Sequence, residues 1–348
     1  MSATMKAMRL EKLADLTRET EPLTLTEVPI PEPGPGQVRI RISTCGVCHT
    51  ELDEIEGRTP PPVLPMTLGH QAVGRIDKLG SGVVQRKLDE KVGVAWIYSA
   101  CGSCHWCKTE RENLCPDFQA TGRDADGGYA EYMVAPAAFV HPIPETIASA
   151  VAAPLLCAGA IGYRSLRLAH LQPGAPLGLT GFGASAHLVL KLVQHLHPEL
   201  SVFVFTRNEK ERVFARELGA AWAGDTEEQA PQLMQAIIDT TPAWKPVLCA
   251  LRQLEPGGRL VINAIRKESR DNSLLADIDY PQDLWMEKIV QSVANVASAD
   301  VREFLAHAAE IPITPTFQEY SLEQANQALL ELKQGIIRGA KVLRIAPD

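Results

Sequence analysis

Between residues 23 and 43, apolar and polar positions alternate in LTLTEVPIPEPGPGQVRIRIS, interrupted midway by a proline- and glycine-rich run. A period of two with a breaker at its centre predicts two strands joined by a tight connection. Similar short stretches at 72–83, 91–97 and 128–134 predict more strands, so the first part of the chain reads as an irregular, mostly β unit. After Pro173 the pattern changes. Apolar runs of strand length, PLGLTGF, SVFVFT and GGRLVINAI, alternate with helical stretches at 184–196 and 209–218. That alternation predicts an α/β architecture built on a doubly wound parallel sheet. From about residue 294 a helix (DVREFLAHAAEI), a strand (TPTFQEY), a second helix (LEQANQALLELKQG) and a last strand (KVLRIA) follow; pattern alone assigns this tail to neither part.

With 348 residues, 45% hydrophobic and 22% charged, the chain has material for two cores. A formal net charge of −8 without basic clusters argues against nucleic-acid partners and against a membrane-surface role. The N-terminal MSATMKAMRLEKL lacks the apolar core of a secretory signal, so the expected location is the cytoplasm. The longest apolar stretch, 147–163, is interrupted by Ser149, Pro154 and Cys157 and is expected to be buried core, short of a membrane span. Eight cysteines in a long chain of this kind point to metal binding or catalysis instead of disulfides. Cys249 stands apart and reads as a buried bystander.

The segment CGSCHWCKTERENLC spaces Cys101, Cys104, Cys107 and Cys115 by three, three and eight. Four thiolates at about 2.3 Å make the closed tetrahedral site of a structural zinc. Similar runs also hold iron–sulfur clusters, which is the competing reading. Lys108, Arg111 and Glu112 read as a solvated loop around a metal clip. Metal binding worth about 10–16 kcal/mol in zinc-finger peptides suffices to order a loop with so few apolar residues.

LGLTGFGASAHLVLKLV reads as strand, glycine turn and helix, with Gly181, Gly183 and Ala186 fitting GxGxxA. The first glycine allows the turn, the second lets a pyrophosphate approach the backbone, and the small third residue permits close helix packing. Gly181, Phe182, Gly183, Ala184, Ser185 and Ala186 are therefore the candidate dinucleotide turn, and the helix N-terminus supplies N–H groups to the phosphate. NAD-preferring sites carry an acidic residue at the end of the next strand. Here Thr206, Arg207 and Asn208 stand there, so a 2′-phosphate meets no carboxylate and Arg207 can pair with it, which favours NADP(H) over NAD(H).

Three further segments, GVCHTEL, LGHQAVG and PLLCAGAIGYRSL, carry Cys48, His70 and Cys157. Taken singly, Cys157 reads as a core cysteine and His70 as a satisfied polar residue. The segments resemble matching stretches of the zinc-dependent alcohol dehydrogenases of the medium-chain dehydrogenase/reductase superfamily, particularly the bacterial cinnamyl-alcohol-dehydrogenase-like members. The likeness runs from about Met8 to Arg344, with the cysteine lobe and glycine turn in the expected order.

The resemblance implies that Cys48, His70 and Cys157 bind a catalytic zinc while Cys45 does not, giving two zincs per subunit, one catalytic and one structural. Thr50 would accept the alcohol proton, Glu51 would orient His70, and His49 and Arg338 would contact the pyrophosphate. Trp96 matches a wall of the substrate pocket, its other reading being a core tryptophan. Two departures stand out: Gln71 replaces the usual Glu after the liganding His, and Asp53 replaces a relay His. Zinc lowers the pKa of a bound oxygen from about 15.7 to about 7, roughly 12 kcal/mol, which is what alcohol ionisation near neutrality requires.

A GroES-like β-barrel catalytic domain (1–153 with 294–348) and a Rossmann domain (154–293) are implied, with the active site in the cleft. The expected reaction is reversible hydride transfer between a primary alcohol or aldehyde and NAD(P)(H), by a homodimer or homotetramer. The alternatives are a polyol or secondary-alcohol dehydrogenase of the same superfamily, and a non-catalytic zinc and nucleotide-binding protein.

Overall fold

The computed structural model describes residues 3–311, 313, 315–336 and 339–347, and of Ala184 the backbone alone. The chain divides into two compact units, Met1–Cys157 with Val296–Asp348, and Ala158–Asn295. These boundaries fall at 157/158 and 295/296, against 153/154 and 293/294 from the sequence. Nothing in the composition marks the first one, because a helical run that opens with Ser149–Pro154 continues through Leu155–Gly159 into Ala160–Ala169.

The first unit is organised by the strand Gln37–Val47, whose inward positions Val38, Ile40 and Ile42 are fully buried. It pairs antiparallel with Ala72–Leu79, Tyr132–Pro136 and Ala340–Arg344, the heart of a seven-stranded sheet. Thr4–Leu10, Leu23–Pro29 and Met66–Thr67 form a second, three-stranded sheet. The tail that pattern left unassigned belongs here, since Ala340–Arg344 pairs with Gln37–Val47 and Phe317–Ser321 pairs with Ala340–Arg344.

Two strand expectations change. The 91–97 stretch splits into Lys91–Val94 and Ile97–Ser99; between them the Ala95 and Trp96 carbonyls accept from Thr121. The strand expected at 128–134 begins only at Tyr132, because the N–H groups of Gly127, Gly128 and Tyr129 donate instead to Thr67, Gly69 and Leu68 at 2.7, 2.7 and 3.0 Å.

The helical run Ser149–Ala169, 21 residues with mean hydropathy 1.2, is long and apolar enough to cross a membrane by length and composition. That corrects the reading that the stretch falls short. Its window is 72% buried inside the protein, as a core helix would be.

The second unit holds six strands, all parallel, in the order Trp222–Gly224, Val202–Phe205, Leu177–Thr180, Met234–Asp239, Leu254–Ile262, Ile289–Ser292. Counted along this unit that order is 3-2-1-4-5-6, the dinucleotide-binding topology, with its switch point between Leu177–Thr180 and Met234–Asp239. All four residues of Leu177–Thr180 and of Val202–Phe205 are buried, which is why these runs are continuously apolar instead of alternating.

Candidate active site

Sheet register builds the first cluster. Cys45 sits opposite Ala72, and the Gly46 N–H donates to the Gln71 carbonyl at 3.1 Å, so the residues just beyond, Cys48 and His70, are brought together. The Cys48 sulfur lies 3.5 Å and the Cys157 sulfur 3.4 Å from His70 Nε2. The three ligand atoms lie within 4.8 Å of one another, a grouping able to hold a metal ion. His70 is reached through Gly69, whose φ is +98° and where a Cβ would lie 2.4 Å from the Tyr129 ring. Any larger residue before His70 would collide with that buried ring.

Glu51 serves two groups at once. One carboxylate oxygen accepts from the Cys48 N–H at 2.8 Å, completing the capping box of the helix His49–Ile55. The other lies 2.6 Å from His70 Nδ1, which therefore carries a proton and leaves Nε2 to face the sulfurs. Glu51 and His70 are almost wholly buried. The Cys157 side chain first, and burial second, push the Cys48 thiol well above its usual range. Burial pulls His70 down, but Glu51 and Cys48 outweigh it and the net direction is up. Because a metal is bound by the thiolate, loading a cation here releases the Cys48 proton. Two thiolates and an imidazole are the donors that suit zinc, and three protein ligands leave a fourth position for another oxygen.

The neighbouring positions are now placed. Thr50 is half-buried and its N–H points to the Cys48 sulfur at 3.4 Å. Asp53 is paired with Arg58. Gln71 is buried with its side chain against Gly46, where a Cβ would meet its amide oxygen at 2.4 Å. Cys45 is buried and directs its thiol to the Gly46 carbonyl at 3.6 Å. Trp96 is half-buried, with Phe118 at 5.0 Å and the Arg123 guanidinium at 5.6 Å from its ring.

The sulfurs of Cys101, Cys104, Cys107 and Cys115 form the second cluster, also within 4.8 Å of one another. Backbone N–H groups of Ser103 and Cys104 hold the Cys101 thiol down to about 6, whereas desolvation among the other sulfurs raises Cys107 to about 12. Of the intervening residues Lys108 and Arg111 are exposed and Glu112 is half-buried. Arg111 lies 4.7 Å from the Trp106 ring centre, and a Glu112 carboxylate oxygen accepts from the Ser298 N–H at 2.7 Å, at the start of the helix Ser298–Glu310. Cys249 is half-buried, less enclosed than expected of a bystander in the core.

In the second unit Gly181 has φ +75°, Gly183 caps the helix Ala184–Leu196, and Ala186 is fully buried. Phe182 is buried edge-on to Phe214 at 5.9 Å, and Ser185 is half-buried. A Cβ on Gly183 would meet nothing within 4 Å, so the approach to the helix N-terminus is open. At the end of the neighbouring strand the Thr206 hydroxyl donates to Glu211 at 2.6 Å, while Arg207 is exposed. Glu209, a nearby carboxylate that could compete, is engaged by Arg212 and Arg216. Arg338 lies outside the described residues. The pair Asp239 and Lys267 beside the glycine turn carries no sequence motif: Lys267 sits in the polar run RKESR and reads as loop.

A family model described as "Alcohol dehydrogenase GroES-like domain" matches residues 34–145. The "Probable alcohol dehydrogenase AdhA" of Mycobacterium tuberculosis is 39% identical over 349 residues, covering 99% of this chain and 98% of that protein. An alcohol dehydrogenase of Geobacillus stearothermophilus is 31% identical over 351 residues, covering 97% and 100%. Among solved structures, a cinnamyl alcohol dehydrogenase of Sorghum bicolor superposes with a TM-score of 0.81 at 25% identity, covering 98% of each chain.

Proposed function

The chain belongs to the zinc-type alcohol dehydrogenases of the medium-chain dehydrogenase/reductase superfamily, and from that premise we propose that it interconverts aldehydes and primary alcohols with NADP(H) as its favoured hydride carrier. The observation that carries the reading is the convergence of Cys48, His70 and Cys157 on one point, backed by a buried Glu51. A protein that only carried a structural metal would have no use for a three-ligand site with a position to spare.

When bound, zinc supplies a Lewis acid for the substrate oxygen and the nicotinamide supplies or takes up the hydride. The chain does the rest. Cys48, His70 and Cys157 hold the metal, and Glu51 fixes the His70 tautomer and its basicity. Thr50 Oγ would accept the hydrogen bond of the substrate hydroxyl and, as it takes that proton in oxidation, pass its own hydroxyl proton on to water, the order reversing in reduction. Asp53 is held by Arg58, so its carboxylate is committed to that pair where the family resemblance places a relay histidine. Gln71, an amide packed on Gly46, offers the metal no carboxylate.

Cysteines 101, 104, 107 and 115 would hold a second, structural zinc. Gly181 to Ala186 receive the pyrophosphate, with His49 and Arg338 assigned to it by resemblance, and Trp96 remains the candidate pocket wall. Support for NADP(H) is the exposed Arg207, with Glu209 neutralised by two other arginines. A homodimer or homotetramer is supported by the apolar edge at Ile289–Ser292, where Trp285, Met286, Ile289 and Val290 are 55%, 51%, 40% and 46% exposed. The expected site of action is the cytoplasm.

The test is initial-rate oxidation of NADPH and NADH with one aromatic and one short aliphatic aldehyde, before and after chelation, in the wild type and in Arg207→Ala. Chelator-sensitive turnover favouring NADPH is expected. Removing Arg207 should raise the KM for NADPH about tenfold with little change for NADH, the worth of one charge-assisted pair. Faster turnover with NADH would keep the enzyme and discard the role of Arg207. No turnover with any aldehyde or alcohol would leave a nucleotide-binding protein.

A further inference from the structure

At the carboxyl end of the parallel sheet, next to the glycine turn, lies a fully satisfied polar network. Asp239 ends the strand Met234–Asp239 opposite Thr180, the last residue before Gly181. It is completely buried, and its partner Lys267 is 8% exposed at the side chain. One Asp239 oxygen accepts from the Thr180 hydroxyl at 2.6 Å and from the Thr241 hydroxyl at 2.8 Å; the other accepts from Lys267. Lys267 also donates to the carbonyls of Thr241 and Ala243 at 2.7 and 3.1 Å. Its three protons are spent inside the protein, so it is no ligand for a phosphate.

What the network ties down is the turn 240–243 that abuts the glycine turn. Thr240 donates to the Thr180 carbonyl through both its N–H and its hydroxyl, each at 3.0 Å. A Cβ on Gly181 would lie 3.0 Å from the Thr241 methyl carbon and 3.1 Å from the Thr240 hydroxyl oxygen. A shift of this turn is therefore felt at Gly181. A buried ion pair is a poor device for stability alone, since apolar residues of the same size often do as well or better. It is better suited to holding one arrangement among several, and the arrangement held here adjoins the topological switch point.

We propose that Asp239 and Lys267 are positioning residues for the cofactor: through Thr240 and Thr241 they fix the backbone of the Gly181 turn in the shape that receives the dinucleotide pyrophosphate. The proposal rests on the reading of Gly181–Ala186 as the cofactor turn. Neither side chain touches the cofactor, and both act through Thr240 and Thr241.

Three variants test it in the full chain: Lys267→Met, the double variant Asp239→Asn/Lys267→Met, and Thr241→Val. Each is scored by its dissociation constant for NADPH, its KM and kcat, and its thermal midpoint. Lys267→Met should weaken NADPH about tenfold or more, because small misplacements of a binding backbone are costly. The double variant leaves no charge unpaired. It should recover the thermal midpoint but not the affinity, with the KM for NADPH rising more than kcat falls and the aldehyde KM nearly unmoved. A folded double variant that binds NADPH within twofold of wild type would overturn the proposal. If both Lys267 variants fail to fold, Thr241→Val decides, since it alters no charge: unchanged NADPH affinity there overturns it equally. Wild-type protein that binds neither NADPH nor NADH would remove the cofactor reading itself, an outcome visible before any variant is made.

Discussion

The two cysteine clusters of the first unit are assembled by opposite means. Cys101, Cys104, Cys107 and Cys115 come from one short segment, with Cys101 exposed and only Cys115 buried. Their scaffold is a one-turn helix, His105–Lys108, and a 3-10 turn, Glu112–Leu114, neither of which buries a residue. Cys48, His70 and Cys157 are distant in sequence and are joined by strand register, a capping box and a packed core. On the proposed reading the first site would be made by its metal, whereas the second would be made by the fold and lend a metal its geometry. Removing a ligand should therefore damage structure at the lobe and chemistry at the Cys–His–Cys site.

The sharpest break of that comparison is Cys157→Ser. It should lower kcat/KM by about a thousandfold or more, as expected when the group that ionises the substrate oxygen is lost. The NADPH dissociation constant should stay near wild type, because the glycine turn belongs to the second unit. Turnover that survived this change would show that the three residues do not act together.

Next comes the carboxylate behind His70. Glu51→Gln keeps the size but loses the charge that pairs with the imidazole, and should cost about 10- to 100-fold in zinc affinity or turnover. Competition with a chromogenic chelator measures the affinity without reference to catalysis. An unaltered zinc affinity together with unaltered turnover would reduce Glu51 to a helix cap.

At the lobe the same logic runs the other way. Cys107→Ser should take bound zinc from two per subunit to one in elemental analysis and lower the thermal midpoint, with kcat/KM of the folded fraction falling less than about tenfold. Since Glu112 ties this segment to the start of Ser298–Glu310, the loss should reach that helix, visible as faster amide exchange at its first turn. A midpoint equal to wild type would contradict a lobe made by its metal.

The contrast also explains what the sequence could and could not say. The lobe is legible because covalent neighbours must be spatial neighbours, and their spacing alone narrows the chemistry to structural zinc or an iron–sulfur cluster. Cys48, His70 and Cys157 carry no joint pattern, since their meeting depends on Cys45 facing Ala72 and on a helical run whose sequence suits core packing as well as ligation. Family resemblance supplied that link. The glycine turn is local and could be read; the network beneath it could not. Asp239 and Lys267 meet only because two strands are adjacent in the sheet, and a lysine in a polar run gives no hint of burial. Alternating patterns located the strands, but their ends moved wherever a carbonyl found an irregular donor, as at Ala95 and Trp96.

The smallest effect separates two buried histidines of the same unit. His70 has Glu51 at its Nδ1, whereas His141, in the strand Val140–Pro142, has an unpartnered Nε2 and faces Arg86 and Arg302. Those arginines are themselves paired, Arg86 with Glu90 and Arg302 with Glu110. Burial first, and the two guanidiniums second, push His141 from 6.5 down to about 3. A depressed folded pKa means that the unfolded chain takes up the proton first. The contribution is intact above pH 6.5 and is lost as pH falls toward 3. One unit below the unfolded value the loss is about 1.4 kcal/mol. Glu54 works in the opposite sense, since burial and Glu51 hold its carboxyl well above the usual range and the unfolded chain ionises first as pH rises. The wild-type curve alone thus mixes the two groups, and the measurement is the difference in urea unfolding free energy between wild type and His141→Gln at pH 7.5 and 5.5. The variant should gain about 1.4 kcal/mol on the wild type over that interval. A difference that does not change with pH would mean that His141 finds a proton acceptor in solution, and that burial alone does not set the two histidines apart.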